Sequence, residues 1–306
     1  MPTSSHSTPA TLSIFAPGGY EPLSARMATA SRYFEARGWR VELLMADHER
    51  HGRFSGTDAE RLRWLARACD TPDGGVAIAL RGGYGATRLL PAIDFAALAA
   101  AAARGVRFVG HSDFTAISLG LLATTGAPSL AGPLATFGFG RETVDPFTEE
   151  HFWQAIDAHR VDVTFETACS GDCRAQGMLW GGNLAMLTSL VGTPWMPTID
   201  DGILFVEDVN EQPYRIERML LQLAQAGILN RQRLVLCGDF TGWKATDYDA
   251  GYDLDAALAR VQETTTVPIV RGLPFGHGER IATLGVGTSA DVEIVAGRCR
   301  LTQRLA

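Results

Sequence analysis

Basic residues are in short supply. Lys and Arg total 27 against 34 Asp and Glu, a formal net charge of −7 over 306 residues. Proteins that track a phosphate backbone draw their affinity from Lys and Arg, so this balance excludes nucleic acid as the partner. Cysteine is sparse too, with five in the chain, at 69, 169, 173, 237 and 299. So few in so long a chain build no disulfide framework, and Cys169 and Cys173 do not have C-x-x-C spacing; indifferent, mostly buried thiols are expected. The first ten residues contain no Lys or Arg, and the apolar run at 12–16 is too short for the core of a secretory signal. The longest uncharged stretch, Phe114–Gly140, is interrupted by Pro128, Pro133 and five glycines, so it is not a membrane-spanning helix. A reducing cytoplasm is the expected home, with no membrane association.

Several nucleotide and metal signatures are missing as well. The glycines at 18–19 and 82–85 fit neither G-x-x-x-x-G-K-[ST] nor G-x-G-x-x-G. His48 and His51 fall one residue short of H-E-x-x-H and lie in a segment without helical periodicity, so no zinc site is expected there.

What is present is apolar substance: 46% of the residues are hydrophobic. A chain of this size buries about three quarters of its surface, enough for one large domain or two smaller ones, and its length leans to two. Apolar runs at 11–16, 39–45, 75–80 and 106–110 alternate with helical patterns at 24–37, 57–68, 95–103 and 114–123. Fully apolar strands separated by helices predict an α/β fold with a mostly parallel sheet covered on both faces. Beyond about residue 140 the texture changes. Residues 160–180 alternate as half-exposed strands do, helices are expected at 183–191 and 214–226, and strands at 202–206, 233–237, 268–271 and 291–295. The expected division is an N-terminal unit, 1–160, and a β-rich mixed α/β unit, 161–306, the boundary falling within 140–170.

Chemistry concentrates in a few places. Gly110-His111-Ser112-Asp113 puts a serine on a sharp strand-to-helix turn, where a nucleophile's Oγ projects at the carboxyl end of the sheet. Phe114 stands where the second glycine of G-x-S-x-G would be, and a helix-capping Ser112 or Asp113 is the alternative. The glycines at 82, 83 and 85 follow a strand and suit either an oxyanion hole or a tight structural turn. Of seven histidines, His277 in Pro274-Phe275-Gly276-His277-Gly278 is the best-placed general base, a plain surface histidine being the alternative. Glu207-Asp208 ends an apolar strand, where an acid can orient an imidazole.

These residues sit in longer motifs. R-G-G-Y-G-A-T-R-L-L-P at 81–91, G-H-S-D-F-T-A at 110–116, W-G-G-N-L-A-M-L-T-S-L-V-G-T-P-W at 180–195, L-F-V-E-D-V-N-E-Q-P-Y-R-I-E-R-M-L at 204–220 and F-G-H at 275–277 resemble the L,D-carboxypeptidase family. These are cytoplasmic serine peptidases of murein recycling, the muramoyltetrapeptide carboxypeptidases, and the resemblance runs in order from about residue 11 to about 300. It implies an α/β N-terminal domain and a β-rich C-terminal domain with the active site between them. It also implies Ser112 as nucleophile, Glu207 and His277 as its partners, and the backbone N–H groups of Gly83 and Asp113 as oxyanion donors. The implied substrate is the tetrapeptide L-Ala-D-Glu-meso-diaminopimelate-D-Ala, cleaved without metal or cofactor, by an enzyme expected as a homodimer. Tyr84, Arg88, Trp180 and Asn183 lie in the motifs and either contact substrate carboxylates or simply pack. Two other readings fit the same residues: a self-immunity peptidase acting on microcin-type peptidyl nucleotides, and a catalytically inactive module that binds murein peptides.

Overall fold

The computed structural model describes residues 10–22, 24–45, 49–169 and 171–305. His6 and His48 therefore lie outside the described residues. The chain opens with strand β1 (Thr11–Phe15), helix α1 (Ser24–Glu35), β2 (Arg40–Leu43) and a two-rung hairpin of β3 (Arg50–His51) and β4 (Phe54–Ser55). Helix α2 (Asp58–Ala68) starts at a capping box, Thr57 accepting from the Glu60 N–H while the Glu60 carboxylate takes the Thr57 N–H. Then follow β5 (Val76–Ala79), α3 (Phe95–Ala103), β6 (Arg107–Gly110), α4 (Thr115–Thr125) and β7 (Ser129–Ala131). Strands β1 and β5 are buried along their whole length, as expected of parallel strands covered on both faces.

Helix α5 (Pro146–Asp157) was not legible as a helix, because its first turns read as polar. Asp145 caps it through the Thr148 N–H, Pro146 supplies a preset φ, and Phe152, Ala155 and Ile156 face inward. The second half runs β8 (Arg160–Glu166), β9 (Cys173–Asn183), α6 (Leu184–Ser189), β10 (Ile203–Val209), α7 (Pro213–Gln225), β11 (Leu234–Thr241), α8 (Leu254–Gln262), β12 (Ile269–Arg271), β13 (Leu284–Val286), β14 (Thr288–Val295) and β15 (Arg298–Arg304).

These strands form two main sheets. The first has the order β13-β7-β6-β5-β1-β2, parallel except for β13, which returns from late in the chain to pair antiparallel with β7. The second has the order β12-β11-β10-β9-β14-β15-β8, parallel over its first four strands and antiparallel over the rest. The molecule is thus α/β, with a parallel-rich N-terminal sheet and a β-rich C-terminal sheet. In the parallel part of each sheet, strand carboxyl ends carry the candidate residues, Gly110 leading to Ser112 in one and Glu207 standing in β10 of the other.

Candidate active site

At the end of β6 the backbone turns sharply. His111 is extended, and Ser112 adopts φ +60°, the left-handed region. Such a conformation at a non-glycine residue costs on the order of 1–3 kcal/mol and gathers at functional sites. Gly110 makes the turn possible: a Cβ there would stand 2.8 Å from the Phe114 ring, which is buried against Phe15. Ser112–Phe114 forms a single 3-10 turn that leads directly into α4.

The glycine loop after β5 lies on this serine. A Cβ on Gly82 would meet Ser112 Oγ and Cβ at 2.7 Å and the Asp113 backbone nitrogen at 3.6 Å. The Gly19 N–H holds the Gly82 and Gly83 carbonyls, at 3.1 Å each. The Asp113 side chain secures the far end of the loop, its Oδ2 accepting from the Ala86 N–H at 2.7 Å. Burial pushes that carboxyl up to about 6, against the pull of the Ala86 N–H and the charge of Arg61. Arg61 is fully buried and donates to the carbonyls of Pro17 (2.7 Å) and Gly85 (2.9 Å), with its guanidinium over Phe54. Sequence reasoning marks Asp113 as a helix cap or an oxyanion donor, not as the anchor of this loop, and does not single out Arg61. The signal for Arg61 was present: it occupies the inward face of α2 together with Trp64, Leu65 and Ala68.

The C-terminal sheet supplies the second half. Glu207 is fully buried, and its Oε2 lies 2.7 Å from His277 Nδ1. In the neutral imidazole that bond makes Nδ1–H the donor and leaves Nε2 free to accept a proton. Burial alone would lower the His277 pKa, but the hydrogen bond and charge of Glu207, with Asp208 and Asp239, carry it above the ordinary value. Gly276 at φ +137° lets the loop lie close, since a Cβ there would stand 3.0 Å from Glu207 Oε2. Asp239 fixes the same loop, its N–H donating to the Phe275 carbonyl at 2.8 Å.

Asp208, adjacent to Glu207, serves the backbone. It accepts from the Ala185 N–H and its neighbour Val209's N–H, each at 2.8 Å, and burial followed by the Glu207 charge pushes its carboxyl up to about 6. The Asn183 amide bridges the two acids, donating to Glu207 Oε1 (3.2 Å) and Asp208 Oδ1 (3.0 Å), while its Oδ1 caps α6. This network was not visible in the sequence: both acids are buried, and their partners Asn183, Ala185 and His277 lie far off in the chain.

The structure brings Glu207 and His277 into contact and seats His111, the neighbour of Ser112, edge-on against His277 with ring centroids 5.0 Å apart. Among the described residues Ser112 Oγ makes no hydrogen bond. His111 is buried, donates from Nδ1 to the Gly132 carbonyl at 2.8 Å, and is held neutral, its pKa lowered to about 4 by burial and by His277. The motif residues separate. Tyr84 is exposed on the glycine loop, and Arg88 is engaged by Asp58. Trp180 is fully buried, its indole N–H donating to Gln232 Oε1 at 2.8 Å, and the buried Asn183 amide is committed as described. Among the described residues no cluster of three or more His, Cys, Asp or Glu is arranged to hold a metal ion, and no helix is long and apolar enough to cross a membrane.

Family models of the LD-carboxypeptidase N-terminal domain and C-terminal domain match residues 12–132 and 176–292. The chain is 30% identical to the murein tetrapeptide carboxypeptidase of Pseudomonas aeruginosa over 86% of each chain. It is 26% identical to the microcin C7 self-immunity protein of Escherichia coli, over 82% of this chain and 80% of that one. Among solved structures, the muramoyltetrapeptide carboxypeptidase of Oxalobacter formigenes superposes with a TM-score of 0.89 at 43% identity, covering 96% of this chain and 98% of that one.

Proposed function

Because the chain belongs to the LD-carboxypeptidase family, and is therefore a carboxypeptidase, we propose that it removes the terminal D-alanine from the murein tetrapeptide L-Ala-D-Glu-meso-diaminopimelate-D-Ala by a serine mechanism. The observation that carries this reading is the 2.7 Å pair of buried Glu207 and half-buried His277, packed through His111 beside a serine in the left-handed conformation. His277 Nε2 takes the Ser112 Oγ proton as Oγ attacks the carbonyl carbon of diaminopimelate. The resulting oxyanion is held by the N–H groups of Gly83 and Asp113. The imidazolium returns its proton to the D-alanine nitrogen as the C–N bond breaks, leaving an acyl-enzyme ester on Ser112. A water molecule then repeats the cycle and frees the tripeptide. Glu207 fixes the imidazole tautomer and stabilises its protonated form.

The nucleophile comes from the unit 1–160 and the base with its carboxylate from 161–306. The murein reading is favoured over microcin immunity by sequence identity, 30% to the Pseudomonas murein tetrapeptide carboxypeptidase against 26% to the self-immunity protein. We place the enzyme in the cytoplasm as a homodimer, which light scattering of the purified protein checks. Mass spectrometry of tetrapeptide digests tests the reaction. Ser112→Ala is expected to abolish D-alanine release while tetrapeptide binding persists, with only the residual catalysis typical of a disabled triad, about 10³–10⁴ over water. More than a few per cent of normal release by that variant overturns the mechanism. Hydrolysis of an aminoacyl sulfamoyl nucleotide with no action on tetrapeptide overturns the substrate assignment.

A further inference from the structure

Residues Ala135–Phe139 form a single π-helical turn, a rare conformation that gathers at functional sites. It is firmly anchored. The Thr136 N–H and hydroxyl both donate to the Leu80 carbonyl, at 3.0 and 2.9 Å, just before the glycine loop. Phe139 is buried and stacked on Tyr33, with centroids 4.8 Å apart. Phe137 turns the other way, its ring 6.1 Å from the His277 ring and 5.8 Å from that of His111. Over Phe137 lies the guanidinium of Arg141, 4.6 Å from the ring centroid. A cation thus stands one aromatic ring away from the imidazole.

Other arginines around the site are engaged. Arg61 and Arg88 share Asp58, Arg81 donates to the Tyr20 carbonyl at 2.6 Å, and Arg280, over Phe147, faces the charge of Asp239. Arg141 holds no ion pair or hydrogen bond among the described residues. Among the described residues it lies against the Phe137 face, a contact that orients a guanidinium and leaves its N–H fork available.

We propose that Arg141, held over Phe137 by the π-turn, receives the C-terminal carboxylate of the substrate's leaving residue and so makes the enzyme a carboxypeptidase rather than an endopeptidase. The inference rests on the function proposed above. For His277 to protonate the leaving nitrogen, that nitrogen must come within hydrogen-bond reach of the ring. The carboxylate of the departing D-alanine hangs one carbon further on, so it falls within a residue's span of the imidazole, where Phe137 and Arg141 stand. An arginine fork offers two parallel N–H donors to such a carboxylate.

The test compares tetrapeptide bearing a free C-terminal carboxylate with the same peptide ending in a D-alanine amide, for the unmodified enzyme, Arg141→Met and Arg141→Lys. The unmodified enzyme is expected to favour the free acid in kcat/KM by on the order of 10–10²-fold, the range of one hydrogen bond to a charged group. Arg141→Met should lose that preference, its kcat/KM falling on the acid but staying within about twofold on the amide, and Arg141→Lys should recover part of it. Amide turnover reports that the variant site is folded. If Arg141→Met still prefers the acid as strongly as the unmodified enzyme, or falls equally on both peptides, the inference is overturned while the proposed function stands. No D-alanine release by the unmodified enzyme takes down both.

Discussion

Glu207 and Asp208 are consecutive carboxylates on one strand, and they are employed differently. Glu207 faces His277, whereas Asp208 accepts from the Ala185 and Val209 amides. The pairing of β10 with β11 shifts register between Val206 and Asp208, and one Asn183 amide nitrogen reaches both carboxylates, so it is their other partners that separate the two acids. Glu207→Gln removes the charge that holds His277 above its ordinary pKa. A general base must be neutral to act, so the acid limb of kcat/KM, set by His277 protonation, should lie above that ordinary value in the unmodified enzyme. In Glu207→Gln burial is left to dominate and the limb should move to lower pH. The plateau kcat should fall by on the order of 10²–10⁴, the upper figure being that of an Asp-to-Asn change in a serine protease triad. Asp208→Asn should cost about 1–2 kcal/mol of stability with kcat reduced less than about tenfold. Rate–pH profiles of the two variants, with urea denaturation, check both statements; a dead Asp208→Asn enzyme beside an active Glu207→Gln one would reverse the roles.

Among the elements, the glycine loop of 81–85 and the turn at 110–114 depend on each other. Gly82 has no side chain because Ser112 occupies the space where its Cβ would be. Gly82→Ala should therefore displace the serine, lowering kcat by on the order of 10²-fold, since a shift of about 1 Å in a reacting group is enough for that. Binding of tetrapeptide to the variant, measured by calorimetry, should change far less; an undiminished kcat would show that the serine is not where the reaction occurs. Elements of this kind divide sharply in how legible they are. The Thr57–Glu60 capping box, the Ala-rich α3 and the turn around Ser112 are written in neighbouring residues, and so were open to reading. The carboxylate of Asp113 reaching Ala86, Asn183 bridging two acids and the three-residue β13 depend on partners distant in sequence, and no local pattern encodes them. Candidate residues could be named from their turns, but their relative placement belongs to the tertiary fold.

For the whole molecule, β13 decides cohesion. Leu284, fully buried, lies on a strand that completes the N-terminal sheet, yet the chain enters it from His277 and leaves it for β14 of the other sheet. Leu284→Ala should cost about 2–5 kcal/mol, as deletion of a buried leucine side chain does. Because the strand joins both sheets, the loss should be shared. Hydrogen exchange in urea is expected to show protection in β1, β5, β10 and β11 falling at one lowered midpoint. Early loss confined to one sheet would mean the halves unfold separately.

The same topology sets a clock on biosynthesis. A ribosome delivers the serine first, the glutamate nearly a hundred codons later and the histidine later still, and β13 and the hairpin of β14 and β15 emerge only after that. Until β13 folds back across the first sheet, the nascent chain holds a serine without the base proposed for it. On the mechanism proposed above, a chain that stops short of residue 277 carries the nucleophile without its base.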